Sequence, residues 1–155
     1  MKDRLNSRVK QRAWFRPFAP AILEERVAEF FEIDQLDPFM TMAPKVRAAK
    51  AHLIPAAVHL DETARLQTVG RSTNPLLYAV IEEFARFAGV PVILNTSFNL
   101  HEPIVETPAD ALSCYLRTQM DVLVIGNFYS AREERRTLRR EEERSPASFD
   151  IASVK

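Results

Sequence analysis

One cysteine, Cys114, stands among 155 residues. An internal disulfide is therefore excluded, and a reducing, cytoplasmic setting suits the chain best. Its neighbours Ala111-Leu112-Ser113 and Tyr115 read as a buried helix face, where a free thiol packs as a small hydrophobe and not as a nucleophile. Glycine is nearly as scarce: Gly70, Gly89 and Gly126 are the only three and lie far apart. That rules out a glycine-rich phosphate loop and leaves any nucleotide to be held by side chains. The histidines His52, His59 and His101 show no i,i+4 pair or other metal-ligand spacing, so no metal site is expected. His59 and Asp61 share a metal only if the turn between them permits it; otherwise His59 reads as a structural strand residue. No apolar run approaches the ~20 residues of a membrane helix, and the basic start is not followed by the apolar core of a signal peptide. Formal net charge is +0, so nothing global favours nucleic acid or an anionic membrane as partner. An RNA-binding module would further need an exposed aromatic series, which is lacking.

What is present fits one domain with a real core. Pro20 can open a helix through Ile22, Leu23, Val27, Phe30 and Phe31, running to about Glu32. Phe39 to Val46 returns as a strand, with Pro44 placing part of it at an edge or bulge. Ile54 to His59 and Ala64 to Val69 flank the polar turn Leu60-Asp61-Glu62-Thr63 and read as a hairpin or strand pair. Asn74-Pro75 opens a helix through Leu76, Leu77, Val80, Ile81, Phe84 and Phe87, stopped by Gly89. Val90 to Asn95 is then a buried strand, Thr107-Pro108 caps a helix through Leu112 and Leu116, and Asp121 to Ile125 is a strand. The order is mixed α/β. Residues 1–130 form the domain, and 131–155, alternating in charge sign without an apolar stripe, form a solvated helix or disordered tail.

Val90-Pro91-Val92-Ile93-Leu94 ends abruptly in Asn95-Thr96-Ser97-Phe98-Asn99. In an open α/β sheet, ligands collect beyond the carboxyl ends of strands, so Asn95 and Ser97 occupy an expected site; two apart, they share a side if the chain stays extended. Two other stretches combine cations with tight local structure, Lys10 to Pro20 and Asp61 to Arg65. Lys10 offers a compact ammonium, and Arg16 and Arg65 offer planar forks suited to phosphate. Charge attraction would place a polyanion, and the amide and hydroxyl groups would orient it. Each residue has a plainer reading: Arg16, within Phe15-Arg16-Pro17-Phe18, can stack on the rings or pair with an acid. Arg65 can be an outer-face strand residue, and Asn95 to Asn99 an Asx-type turn.

These blocks, in this order, resemble the C-terminal domain of the O-carbamoyltransferase family that includes nodulation-factor, cephem and aminoglycoside carbamoyltransferases. The resemblance runs from Lys2-Asp3-Arg4-Leu5-Asn6 and Val9-Lys10 through Phe15-Arg16-Pro17-Phe18-Ala19-Pro20, Ile54-Pro55-Ala56, His59-Leu60-Asp61 and Thr63-Ala64-Arg65-Leu66-Gln67. It continues to Asn95-Thr96-Ser97-Phe98-Asn99 and Glu102-Pro103-Ile104-Val105.

It implies a YrdC-like α/β fold, a twisted mixed β-sheet with flanking helices, that converts carbamoyl phosphate and ATP, with Mg2+, to carbamoyl-adenylate. A separate N-terminal domain with a His/Asp metal site would then pass the carbamoyl group to an acceptor hydroxyl. By matching position, Lys10, Arg16 and Arg65 become the phosphate-contacting catalytic cations, with Asn95 and Ser97 as further substrate ligands. The chain departs from the family in three places. Glu62 replaces the glycine of an Asp-Gly-Thr turn, and Leu100-His101-Glu102 is one residue short. A preceding Gly-Pro-Arg-Ala-Leu-Gly segment is missing, so the expected fold is N-terminally shortened. The chain alone is not expected to carbamoylate an acceptor, and a non-catalytic remnant or docking module is the alternative.

Overall fold

The computed structural model describes residues 1–132. Two compact units make it up, one of Met1–Gln119 and a second beginning at Met120. The expected tail lies almost wholly outside the described residues.

The first unit opens with a helical turn, α1 (Lys2–Arg4), that widens into a π-helical turn over Leu5–Val9. Strand β1 (Ala19–Leu23) follows, and all five of its residues are buried. This replaces the helix expected from Pro20 to Glu32. A strand covered on both faces reads as an unbroken apolar run, which periodicity alone cannot tell from a helix. Pro17 and Pro20 also press the residues before them toward extended backbone. Only the last part of that stretch is helical, a 3-10 turn (Glu24–Arg26) and α2 (Val27–Phe30). Then β2 (Phe31–Glu32) pairs antiparallel with β3 (Lys45–Val46), leading into α3 (Ala48–Ala51).

The strand expected over Phe39 to Val46 shrinks to these last two residues because Asp37 organises the segment before them. Its buried carboxylate accepts from the Thr41 N–H and hydroxyl, both at 3.0 Å, and from the Met42 N–H at 2.7 Å. Burial alone would raise that carboxyl, but these donors outweigh it and hold it below the ordinary aspartate value.

No strand forms over 54–59, where Pro55 sits in successive turns. Of the second expected partner only β4 (Gln67–Val69) forms, and it pairs in parallel with β1. Helix α4 (Pro75–Ala88) starts and stops as the sequence indicates. Asn74 Oδ1 accepts from the Leu77 N–H at 3.2 Å, and Gly89 closes the helix at φ 73. Strand β5 (Val92–Asn95) runs antiparallel to β1 and forms an edge, giving the order β4-β1-β5. Helix α5 (Pro108–Arg117) has a reciprocal capping box between Thr107 and Asp110.

This mixed sheet with flanking helices is the expected α/β class. Alternate residues feed two cores. Ile22, Leu66 and Val92 join Phe30, Phe31, Val46 and Ile54 on one face, while Ala21, Leu23 and Val69 meet Tyr78 and Ile81 of α4 on the other.

The second unit is a hairpin of β6 (Val122–Ile125) and β7 (Phe128–Ala131), joined through Gly126 at φ 55 and Asn127. Only its first strand is expected from the sequence. Among the described residues no helix is long and apolar enough to cross a membrane.

Candidate functional site

Register decides what meets at one end of the sheet. Ala19 lies opposite Asn95, and Ala21 opposite both Ile93 and Gln67. Because β4 and β1 are parallel and β5 is not, the starts of β1 and β4 lie at the same end as the finish of β5. Asn95 is therefore at a carboxyl end, as expected, but the other two strands present their amino ends there. Directly opposed residues share a face, so Asn95 and Gln67 both stand on the α4 side. The Asn95 amide reaches across the middle strand and donates to Gln67 Oε1 at 2.7 Å. Ala19 and Ala21 lie beneath this bond, and their methyl groups leave it room. Arg65, two residues before β4, lies toward this same sheet end.

Lys10 closes the loop beyond β5 from the far end of the chain. Its ammonium is buried and donates to four oxygens: Ser97 O at 3.0 Å, Ser97 Oγ at 3.3 Å, Asn99 O at 2.7 Å and Asn99 Oδ1 at 2.8 Å. Its three protons are thus already engaged. Burial, and then the charge of Arg12, lowers its pKa from the ordinary lysine value. Ser97 Oγ also donates to Asn99 Oδ1 at 2.6 Å, and Asn99 Nδ2 donates to Glu102 O at 2.8 Å. Glu102 pairs with Arg117 at 2.9 Å. Its own backbone N–H lowers its carboxyl pKa to about 2; desolvation opposes this, while the His101 N–H and Cys114 thiol assist it. Burial, and then Glu102, pushes the Cys114 thiol up, in keeping with the inert core cysteine expected.

The arginine loop is supported from below by Asn6, itself buried. Asn6 Nδ2 donates to Trp14 O at 3.2 Å and Arg16 O at 2.8 Å, and Asn6 Oδ1 accepts from Arg12 Nε at 2.7 Å. Arg12 also donates to Pro17 O at 3.2 Å and lies 4.3 Å from the Phe18 ring centre. The aromatic stacking weighed for Arg16 belongs to Arg12. Arg16 is exposed, and its charge acts on both Lys10 and Arg12. Arg65 is exposed as well. Among the described residues neither Arg16 nor Arg65 has a hydrogen-bond or ion-pair partner for its guanidinium.

Lys10 and Ser97 are therefore in direct contact, with Arg16 electrostatically beside them. Arg65 lies two residues before β4, toward the same sheet end, and Asn95 bonds Gln67, not Ser97. Asn6, Arg12, Gln67, Asn99 and Glu102 are the supporting residues that the reading of single residues passed over. Four of these five stand inside the blocks that carry the resemblance; Arg12 had only the basic opening as a signal. His59 Nδ1 meets Thr63 Oγ1 at 3.1 Å, and Asp61 Oδ1 accepts from the Thr63 hydroxyl at 2.7 Å. Their turn is thus closed by Thr63, with Glu62 at φ 65. Among the described residues no group of three or more His, Cys, Asp or Glu converges as a metal site.

The family profile described as carbamoyltransferase C-terminus matches residues 1–132. The chain belongs to this family. It is 49% identical over 131 residues to nodulation protein NolNO of Sinorhizobium fredii, covering 82% of this chain and 19% of that protein. Over 132 residues it is 49% identical to nodulation protein NolO of Bradyrhizobium diazoefficiens, covering 82% of this chain and 24% of the relative. Nodulation protein U of Rhizobium tropici is 43% identical over 101 residues, 65% of this chain and 17% of its own length. The chain thus spans a quarter or less of the length of these relatives.

Proposed function

We propose that this carbamoyltransferase C-terminal domain binds carbamoyl phosphate and ATP at the β1/β4/β5 sheet end and forms carbamoyl-adenylate there. The observation carrying this reading is a division among its cations. Lys10 and Arg12 are engaged by the protein itself, whereas Arg16, whose charge reaches Lys10, and Arg65, two residues before β4, present guanidinium forks without a partner among the described residues. Planar forks hold phosphate oxygens bidentately at any physiological pH. Water hydrolyses carbamoyl phosphate, the oxygen–phosphorus bond breaking, to leave carbamate and inorganic phosphate. A carbamate oxygen then attacks the ATP α-phosphorus, the bond to the β-phosphate bridging oxygen breaks, and pyrophosphate leaves. Negative charge grows around the phosphorus, so fixed cations aimed at it supply most of the stabilisation, each worth on the order of a few kcal/mol. Magnesium would enter as MgATP, ligated by the phosphates.

Transfer to an acceptor hydroxyl belongs to a separate N-terminal, metal-bearing transferase domain, consistent with relatives four or more times longer than the match. A reducing cytoplasm suits the single buried thiol. Isothermal titration of the intact chain with carbamoyl phosphate and a non-hydrolysable ATP analogue tests the reading. Heat from both is expected, and heat from neither rejects it. Glu62 at positive φ, in the family's glycine turn near Arg65, favours a second reading, a remnant that docks on a transferase without chemistry. Carbamate-dependent exchange of pyrophosphate into ATP by the chain would sink that alternative.

A further inference from the structure

The two edges of the sheet are finished differently. Outside β4, the Thr68 N–H donates to Asp37 O at 2.9 Å, the Asp37 N–H returns to Thr68 Oγ1 at 3.0 Å, and Gln67 Nε2 reaches Pro38 O at 3.2 Å. That edge is closed by its own loop. Outside β5 no strand pairs among the described residues, and Val92-Ile93-Leu94 contains no charge, proline or bulge to discourage pairing. Native proteins do not leave an apolar edge of this kind bare.

The space beside it is shaped accordingly. A cleft of about 550 Å³ runs along Val92–Leu94, walled by Phe84 of α4 on one side and by Leu53, Pro55 and Leu5 on the other. The apolar surface continues from Phe84 along α4 through Leu76, Val80 and Phe87, which repeat at helical spacing and are all exposed. Met1 also lines the cleft. The family match begins at residue 1, and three-quarters or more of each relative lies outside it. If a relative shares this fold, polypeptide preceding its counterpart of Met1 would enter beside this cleft.

The geometry points to an occupant: a β-strand of the carbamoyltransferase polypeptide outside the matched region, which pairs with the free edge of β5 and inserts apolar side chains on both sides. This rests on reading the chain as the C-terminal portion of a carbamoyltransferase. The occupying strand would be short, matching the four residues of β5, and mainly apolar, because the cleft lining is apolar apart from Lys2 and Asp3.

The test co-expresses the full chain with the Bradyrhizobium NolO polypeptide lacking its matched C-terminal region. Complex formation is followed by co-purification and by amide hydrogen exchange. The expected result is a complex in which the free-edge amides of 92–95 exchange at least ~10-fold more slowly than in the free chain. Leu53→Glu with Phe84→Glu should reduce recovery roughly tenfold, while Leu60→Glu, on the exposed turn, should not. Circular dichroism establishes that the variants fold. A complex protected elsewhere and indifferent to the double variant overturns the inference, as does no complex. A free chain that is already dimeric with 92–95 protected also overturns it, giving the edge to a second copy. Calorimetry with carbamoyl phosphate and the ATP analogue on the same samples separates the two readings. Ligand heat without docking removes only the strand, and docking without ligand heat removes only the site.

Discussion

Lys10→Met separates the two roles open to this lysine, since methionine keeps the apolar stem but removes the ammonium. In the structure that ammonium serves two backbone carbonyls, Ser97 O and Asn99 O, together with the Ser97 hydroxyl and the Asn99 amide oxygen. The last keeps a donor, the Ser97 hydroxyl at 2.6 Å, so the serious loss is confined to the two carbonyls. A hydrogen bond to a charged donor contributes about 1.5–3 kcal/mol, and water can reach part of this half-exposed loop, so about 2–3 kcal/mol in total is expected. For a chain of this size that corresponds to a fall in Tm of roughly 5–10 °C. Urea unfolding followed by the fluorescence of the single tryptophan, Trp14, and by circular dichroism would measure it. Ligand affinity should fall in parallel, because the loop carrying Ser97 is released. A stability loss below about 0.5 kcal/mol together with abolished phosphate binding would refute the reasoning and make Lys10 a direct ligand.

Arg16→Ala and Arg65→Ala should behave in the opposite way. Each should weaken binding of the ATP analogue about 10- to 100-fold by calorimetry, with Tm moved by no more than ~2 °C, since neither side chain has an internal partner among the described residues. Glu62→Gly should stabilise the chain by about 0.5–1 kcal/mol, read as a shifted urea midpoint at constant m, because φ 65 crowds a β-carbon. The same substitution removes the Lys45–Glu62 ion pair, but at 3.9 Å and exposed that pair adds little to stability. Glu102 has a folded pKa lowered to about 2, so its contribution to stability is present above the ordinary value of 4.5 and is lost as pH falls through that window. Glu102→Gln should therefore flatten the acid limb of stability between pH 4.5 and pH 2 in a pH-resolved melting series.

Elements with local punctuation are legible in the sequence. Asn74-Pro75 with Gly89 and the Thr107–Asp110 capping box fix helices α4 and α5 by interactions within a few residues. The elements that differ from expectation depend on distant partners. Ala19–Leu23 is a strand because β4 and β5 flank it, and nothing nearby distinguishes its apolar run from a helix face. Gln67–Val69 reads as half of a hairpin until β1 is seen to claim it in parallel. The candidate site divides similarly. The types and order of its residues point to anion binding, but which cations the protein itself engages is invisible in one dimension. Lys10 and Asn99 are 89 positions apart.

That separation bears on how the proposed phosphate site would be prepared without a glycine-rich loop. A phosphate loop aims backbone amides by local turn geometry, whereas here position must come from long-range side-chain bonds. Asn6 and Arg12 hold the segment that presents Arg16, and Lys10 holds the segment that presents Ser97. The Asn95–Gln67 amide bond ties the β5 end to the β4 start that follows Arg65. The last of these ties crosses β1, whose Ala19 and Ala21 are small enough for it to pass over. Enlarging Ala21 to valine should therefore break the Asn95–Gln67 bond as well as crowd α4, at a cost of about 1–3 kcal/mol, and should weaken ATP-analogue binding without replacing any proposed ligand-binding side chain. If Ala21→Val lowers stability but leaves affinity intact, the sheet end holding Arg65 and Asn95 needs no tie, and the site would rest on the Lys10 side alone.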